Sequence, residues 1–367
     1  MKKVLFGAYS LDLGGIEKAL VMLLNKLQEK NYDITLVLEK KQGIFLNEIN
    51  PKIKIIEYAP SDSKNIIQRK LINLFKRIKF TIKYKNKFDF SACFATYSLP
   101  ASFVARTASQ NCYLWGHADY LSLFHGNENE MKKFFIDRNY NQFEKIVFVS
   151  EEGKESFIKA FPEMKERTMV CNNLIDAKKI IKMSEEKVPD EDLKIIKKNN
   201  NCKITTFINV GRHEERQKKL SRLIDATSLL KKDNLDFQVL FIGDGPQTEE
   251  YKKQVQEKQL EKNIIFLGRK QNPYPYFKIS DCVVLTSDYE GYPVVFLESY
   301  ILEKPIITTK VSDYKEVENK HGYVTEKDTT DIYEKMKLFI TNGFEVTEKF
   351  DYEKYNTEII QKIEKLF

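Results

Sequence analysis

The feature that most narrows what this chain can become is a series of short, almost unbroken apolar runs at regular intervals. In the first half they are VLFGAY at 4–9, ITLVLE at 34–39, FSACFAT at 90–96 and IVFVS at 146–150. The second half has ITTFINVG at 204–211, FQVLFIG at 237–243, IIFLG at 264–268, CVVLTS at 282–287 and PIITT at 305–309. A strand that is apolar along both faces needs cover on both, and segments with helical spacing, such as 15–29 and 151–160, lie between the runs. This is the signature of parallel sheets wrapped by helices. Two such sets in 367 residues predict an α/β protein of two doubly wound, Rossmann-like domains. The polar stretch around Pro189, ending in an asparagine run, places the boundary between about 186 and 203, with domains at 1–190 and 200–367.

Composition agrees with two ordinary cores: 42% of residues are hydrophobic and 12% aromatic. No apolar run approaches the roughly 20 residues that span a bilayer. The start, MKKVLFGAYSLDLGG, reads as a strand followed at once by Asp12 and glycines, so no signal peptide is expected and the cytoplasm is the expected compartment. Cys93, Cys112, Cys171, Cys202 and Cys282 are scattered without a C-x-x-C pair and read as unpaired core thiols.

Charge is uneven. Residues 1–200 hold 34 Lys and Arg against 25 Asp and Glu, whereas 201–367 hold 26 against 28. Much of the excess is in KNIIQRKLINLFKRIKFTIKYKNK, residues 64–87, with nine cations, no acid and interleaved bulky apolar residues. Two readings stand: a solvated basic face over the first core, or a helix lying on an anionic membrane surface.

In open α/β sheets ligands bind beyond the carboxyl ends of the strands, so the motifs that follow strands matter most. LDLGGIEKAL puts Gly14 and Gly15 at a helix start, where free N–H groups favour an anion, although a glycine pair there also serves plain turn geometry. NVGRHEERQKKL places Arg212 at a strand end and Lys218 shortly after; the pair suits a diphosphate, or is simply part of a charged loop. FIGDGP, 241–246, is a tight turn whose Gly243 lies at the same sheet edge. In SDYEGYPVVFLESY, Gly291, Tyr292 and Pro293 lead into a helix from Val294, leaving Glu290 in the loop and Glu298 inside the helix. Their carboxylates should stand on the order of 10 Å apart. That is too far for a paired acid and base, but it suits a ligand with hydroxyl-rich ends and an anionic middle, such as a nucleotide sugar. An isolated E-x7-E is more often an ordinary surface pattern.

Taken in order, Gly14-Gly15, FVSE at 148–151, NNLID at 172–176, Gly211-Arg212 with a following lysine, IGDGP, FLGR and EGYPVVFLES with KPIITT resemble the retaining glycosyltransferases of the GT-B fold, family 4, over nearly the whole chain. The resemblance implies two domains facing across a cleft, acceptor on the first and donor on the second, with room for the last helix to pack back on the first. It implies that Arg212 and Lys218 grip the donor diphosphate and Glu298 the ribose. Glu290 and the amides of Gly291 to Val294 would hold the transferred sugar, with Gly15 and Gly243 also on the donor side. His117, in YLWGHADY, matches a histidine that the family brings to the reacting centre. Two departures stand out: Lys219 occupies a position that is often glycine, and VSDYKE replaces a glycine-bearing turn after PIITT.

The implied reaction moves a hexose from a nucleotide-diphosphate sugar, UDP by frequency within the family, to a glycan or lipid-linked glycan, with retention. Side-chain cations and helix termini can stabilise the leaving diphosphate, so neither metal nor cofactor is expected. The D-x-D at Asp190–Asp192 reads as a helix start. A sugar-nucleotide epimerase and a non-catalytic accessory subunit are the alternatives. A dehydrogenase is disfavoured by the absence of G-x-G-x-x-G, and no nucleic-acid partner is expected. Tyr9, Ser10 and Tyr292 are the expected specificity positions. If lipid-linked glycans are the acceptors, the enzyme should sit peripherally on the inner face of the plasma membrane.

Overall fold

The structure, a computed structural model, describes residues 1–12, 14–196, 204–318 and 320–367. The chain forms two compact units, Met1–Ile175 with Glu353–Phe367, and Asp176–Tyr352. The sequence boundary of 186–203 is therefore late: the change of unit falls at 175/176. Helices Ala177–Ser184 and Asp190–Ile195 already belong to the second unit. The first packs on helices Tyr274–Ile279 and Val294–Ile301, and in the second the buried carboxylate of Asp192 pairs with Lys270 Nζ at 2.6 Å and accepts from Tyr276 Oη, tying this polar segment to the second unit. Residues 197–203 of the expected linker, including Cys202, lie outside the described residues.

The first unit holds strands β1 (Lys3–Ala8), β2 (Asp33–Leu38), β3 (Lys54–Glu57), β4 (Phe90–Cys93), β5 (Cys112–Gly116), β6 (Lys145–Phe148) and β7 (Thr168–Val170). They form one sheet in the order β3-β2-β1-β4-β5-β6-β7, and every pair is parallel. All of β1 except Lys3 is buried, as its two-faced apolar run requires. Helix α1 (Gly15–Glu29) buries Leu20, Leu23, Leu24 and Leu27. Helix α2 (Ile66–Tyr84) follows β3, and α3 (Leu99–Ala108) starts on Ser98, whose hydroxyl caps Ala101 N. Gly7 has a packing reason, since a Cβ there would lie 3.1 Å from the carbonyl of Ala101 on α3.

The second unit holds β8 (Thr205–Val210), β9 (Phe237–Ile242), β10 (Ile264–Gly268), β11 (Cys282–Leu285), β12 (Ile306–Thr309) and β13 (Gly322–Thr325), in the order β10-β9-β8-β11-β12-β13, again all parallel. Its core gathers Phe207, Leu223, Ile224, Phe241, Tyr251, Val284 and Met336. In each sheet the order reverses beside the first strand of the unit, at β1/β4 and β8/β11, so loops that leave opposite ways open there. β3, β7 and β13 lack the continuous apolar runs seen elsewhere. All three are edges, and edge strands are short and less apolar.

The chain end completes the first unit. Ile359, Ile360 and Ile363 are buried, and the Phe367 ring lies 4.5 Å from Phe90 and 5.0 Å from Tyr32. Asn356 accepts from Ile175 N at 3.0 Å and donates to its carbonyl at 2.7 Å. The four described cysteines are unpaired and buried; burial pushes the Cys93 and Cys171 thiols up to about 12.

Candidate active site

Beyond β8 and β11 the loops of the second unit interlock. After β8 the chain runs through Arg212 into a short helix, Glu215–Lys218, and after β11 it runs through Thr286 to Pro293. Thr286 Oγ1 donates toward the carbonyls of Lys218 (3.0 Å) and Lys219 (3.1 Å), and Asp288 N donates to Gln217 O at 2.8 Å. Arg222 pairs with Asp288 at 2.8 Å. The two loops are therefore one surface.

Glu290 is buried in that surface. Its Oε1 receives Lys218 Nζ at 2.7 Å and Ser287 Oγ at 2.6 Å, and its Oε2 receives Gln217 Nε2 at 3.1 Å. Ser312 Oγ donates to its carbonyl at 2.7 Å. A carboxylate this enclosed must be compensated by charge and hydrogen bonds, and Lys218, itself only 22% exposed, supplies the charge. Lys219 turns the other way, to Glu215 at 3.3 Å. Of the two neighbouring lysines, the structure brings Lys218 to Glu290. An ammonium has three donors, so Lys218 can hold Glu290 and still reach an anion.

The helix Val294–Ile301 starts beside Glu290, with Pro293 as N-cap and no side chain capping its first amides. Glu298, in its second turn, accepts from Tyr274 Oη at 2.9 Å. Burial, then the charge of Glu298, pushes the Tyr274 phenol up, so it stays a donor. Arg212 is 68% exposed along its side chain and only loosely paired with Glu214, at 3.9 Å.

Gly243, expected on the donor side, has a packing reason to be glycine. Its N–H already donates to Gly268 O at 2.9 Å, and a Cβ would fall 1.8 Å from Gly211 O at a φ of +144°. It is a packing glycine that lets β9 end against the turn after β8. Gly245 N likewise donates to Asp244 Oδ1 and Thr248 Oγ1. Beneath this turn is His213, which the motif reading passed over. It is buried, its Nδ1 lies 2.9 Å from Thr248 Oγ1, and burial lowers its pKa, leaving a neutral ring that supports the turn.

In the first unit Gly14 caps α1 without a side-chain bond, and a Cβ on Gly15 would meet nothing within 4 Å. His117 follows β5. The residue is half-buried, yet both ring nitrogens are enclosed and have no hydrogen-bond partner among the described residues. Burial pushes it down to about 4, so the ring is neutral at pH 7. Beyond β1 and β4, Tyr9 and Tyr97 lie 5.8 Å apart, Tyr97 Oη donates to Glu17 at 2.9 Å, and Ser10 Oγ donates to Asp12 at 2.7 Å. Hydrogen bonds from Ser10 and then Gln42 hold the Asp12 carboxyl below its usual range. Arg138, which no motif announced, lies over the Phe134 ring and donates to the carbonyls of Thr96, Tyr97 and Phe134, fixing the loop after β4.

Ser287, Ser312, Gln217 and Tyr274 escaped the sequence reading because nothing local marks them. Ser287 shares the loop of Glu290, three residues before it, whereas Gln217, Ser312 and Tyr274 come from other segments and meet the glutamates only through the fold. No cluster of three or more potential metal ligands occurs among the described residues.

Residues 190–357 match the family model described as glycosyl transferases group 1. An uncharacterized glycosyltransferase of Methanocaldococcus jannaschii is 26% identical over 170 residues; the match takes in 46% of this chain and 40% of that one, so the chain spans about two fifths of that relative's length. The UDP-Gal:alpha-D-GlcNAc-diphosphoundecaprenol alpha-1,3-galactosyltransferase of Escherichia coli is 24% identical over 316 residues, covering 82% of this chain and 77% of its own. Among solved structures, Anabaena HepE in complex with UDP superposes with a TM-score of 0.77 at 17% identity, over 99% of this chain and all of that one.

Proposed function

We propose that this chain, whose residues 190–357 match the group 1 glycosyl transferases and whose fold is GT-B, is a metal-independent, retaining hexosyltransferase of family 4. It moves a sugar from a UDP-linked donor to a glycan or lipid-linked glycan during surface polysaccharide or glycoconjugate synthesis. It does so in the cytoplasm or peripherally on the inner face of the plasma membrane. The observation that carries this reading is the buried Lys218–Glu290 pair beside the uncapped helix start at Val294. A carboxylate and a cation are thereby held in fixed positions next to free backbone amides.

In this reading the diphosphate lies against the helix start, with Arg212 swinging in from solvent and Lys218 sharing its ammonium between Glu290 and a phosphate oxygen. As the glycosidic bond breaks, charge grows on the diphosphate, and these preset donors stabilise it more in the transition state than in the ground state. Glu298 accepts from the ribose hydroxyls, its other contact fixed by Tyr274. Glu290 and the amides of Gly291 to Val294 position the departing sugar. Neutral His117, its ring nitrogens enclosed, would act on a sugar hydroxyl only where substrate displaces the groups that enclose it, and then by hydrogen bonding rather than by charge. The UDP bound by HepE and the UDP-Gal donor and diphosphoundecaprenol acceptor in the E. coli relative's name support the choice of donor and acceptor class.

The test measures UDP affinity and turnover separately. Arg212→Ala and Glu298→Ala should each weaken UDP binding by about 1–3 kcal/mol, the range for charged hydrogen bonds. Glu290→Gln, which keeps hydrogen bonds to Ser287 and Lys218, should leave UDP affinity nearly unchanged and lower turnover. Turnover should persist in excess EDTA. Equal UDP affinity across the three variants sinks the donor assignment, and activity lost to EDTA and restored by manganese sinks the metal-free mechanism. Nucleotide release that needs no acceptor would point instead to an epimerase.

A further inference from the structure

Helix α2 has two apolar faces, and only one is used. Phe80 is its one fully buried residue; its ring packs 5.1 Å from Tyr58, 4.8 Å from Tyr84 and 6.0 Å from Phe103. Ile67, Leu71, Leu74, Phe75, Ile78 and Ile82 are all exposed, Ile67 to 72%, Phe75 to 68% and Ile82 to 79%. At about 100° per residue these six fall within an arc of about 100°, centred opposite Phe80. A continuous outward stripe of bulky aliphatic and aromatic side chains is what solvated proteins avoid unless something covers it.

The charges select the cover. Lys70 and Lys79 fall on either border of the stripe by the same geometry, Lys64 precedes the helix and Lys85 and Lys87 follow it, and no acid occurs between 64 and 87. Lys76 and Arg77 point away from the stripe: Lys76 Nζ donates to Ala59 O at 2.8 Å and the Arg77 guanidinium lies 5.2 Å from the Phe103 ring. A second copy docking through the same stripe would set these cations against their own counterparts. An anionic lipid surface instead takes the apolar stripe below the headgroups and the bordering lysines among them. No helix among the described residues is long and apolar enough to cross a membrane, so α2 would lie in the interface plane.

We propose that α2 is an interfacial docking helix that seats the first unit on anionic lipid through Ile67, Leu71, Leu74, Phe75, Ile78 and Ile82. The inference is independent of the catalytic reading, because its test uses neither donor nor acceptor. The chain's single tryptophan, Trp115, is buried, so Phe75→Trp supplies a reporter at the stripe. With phosphatidylglycerol vesicles at low salt the protein should sediment, its emission should shift to the blue, and brominated acyl chains should quench it. Neutral phosphatidylcholine should bind it far less. Leu71→Gln/Phe75→Gln/Ile78→Gln should lower the bound fraction at least about tenfold, whereas Lys70→Gln/Lys79→Gln should lower the salt needed for release.

Absence of binding to anionic vesicles at low salt overturns the proposal. Binding without a shift or quenching also overturns it, because that is adsorption by charge alone. Self-association in lipid-free buffer that the triple variant abolishes would assign the stripe to a second copy, and capture of an acidic amphipathic peptide in preference to vesicles would assign it to a protein partner. The substituted side chains are exposed, so unchanged melting is expected; if the triple variant fails to fold, quenching of the Phe75→Trp protein decides alone.

Discussion

At His117 a single side chain carries a measurable pH dependence. Its ordinary pKa is about 6.5, and enclosure of both ring nitrogens brings it to about 4 in the folded chain. Above pH 6.5 the ring is neutral in both states and contributes nothing. Between 6.5 and 4 the unfolded chain takes up a proton that the folded chain refuses, so stability falls as pH falls, and the loss levels off below 4. The slope approaches about 1.4 kcal/mol per pH unit and the total is about 3 kcal/mol. In urea melts at pH 7, 5.5 and 4 the His117→Asn variant should therefore gain on the parent by up to about that amount as pH falls; a constant gap would show that the imidazole binds its proton equally well in the folded and unfolded chains. The sequence singled out His117 as a site residue, yet it could not indicate the charge state, because the enclosing groups come with the fold.

Between two helices, Glu215–Lys218 and Leu220–Lys232, Lys219 is left-handed, with φ 48° and ψ 48°. Asp313, in the turn before helix Tyr314–Val317, is left-handed too, with φ 59°. These are the places where the chain departs from the glycines of the family it resembles, and the backbone explains why glycine suits them: a side chain there costs about 1 kcal/mol. Lys219 recovers part of that from its solvent-screened pair with Glu215, which contributes a few tenths of a kcal/mol. Lys219→Gly should accordingly raise stability by about 0.5–1 kcal/mol, read as a higher thermal midpoint, while leaving Lys218 on Glu290. A lower midpoint would mean that the Glu215 pair, or the entropy that glycine adds to the unfolded chain, outweighs the strain. Most central strands were legible because burial on both faces leaves a continuous apolar run, although β5, equally buried, did not stand out among them. β3, β7 and β13 were not, because an edge needs no such run.

Across the whole molecule the chain end is a structural part of the first unit. Removing Glu353–Phe367 takes away Ile359, Ile360, Ile363, Leu366 and Phe367, of which the first four are buried. Each large buried side chain contributes about 1.5–3 kcal/mol, so the loss is comparable with a domain's entire stability. Limited proteolysis of the truncated chain should cut within 1–175 and spare 176–352, and UDP binding, assigned to the second unit, should survive. Cutting spread evenly over both units would show that their folding is coupled.

What the sequence determined by itself is what depends on local pattern. The two doubly wound α/β units follow from apolar runs that need cover on both faces, and the helix at Val294 with Glu290 before it and Glu298 within follows from Pro293 and the run behind it. Tertiary structure decided the rest. It placed the change of unit at 175/176 through the packing of helix Ala177–Ser184 and the buried pairing of Asp192, and gave the chain end to the first unit. It closed Lys218 onto Glu290, and it left one face of α2 bare while burying the other. These outcomes turn on which groups from distant segments share a buried space, and a polar side chain's partners, unlike a strand's periodicity, are not written in its neighbours along the chain.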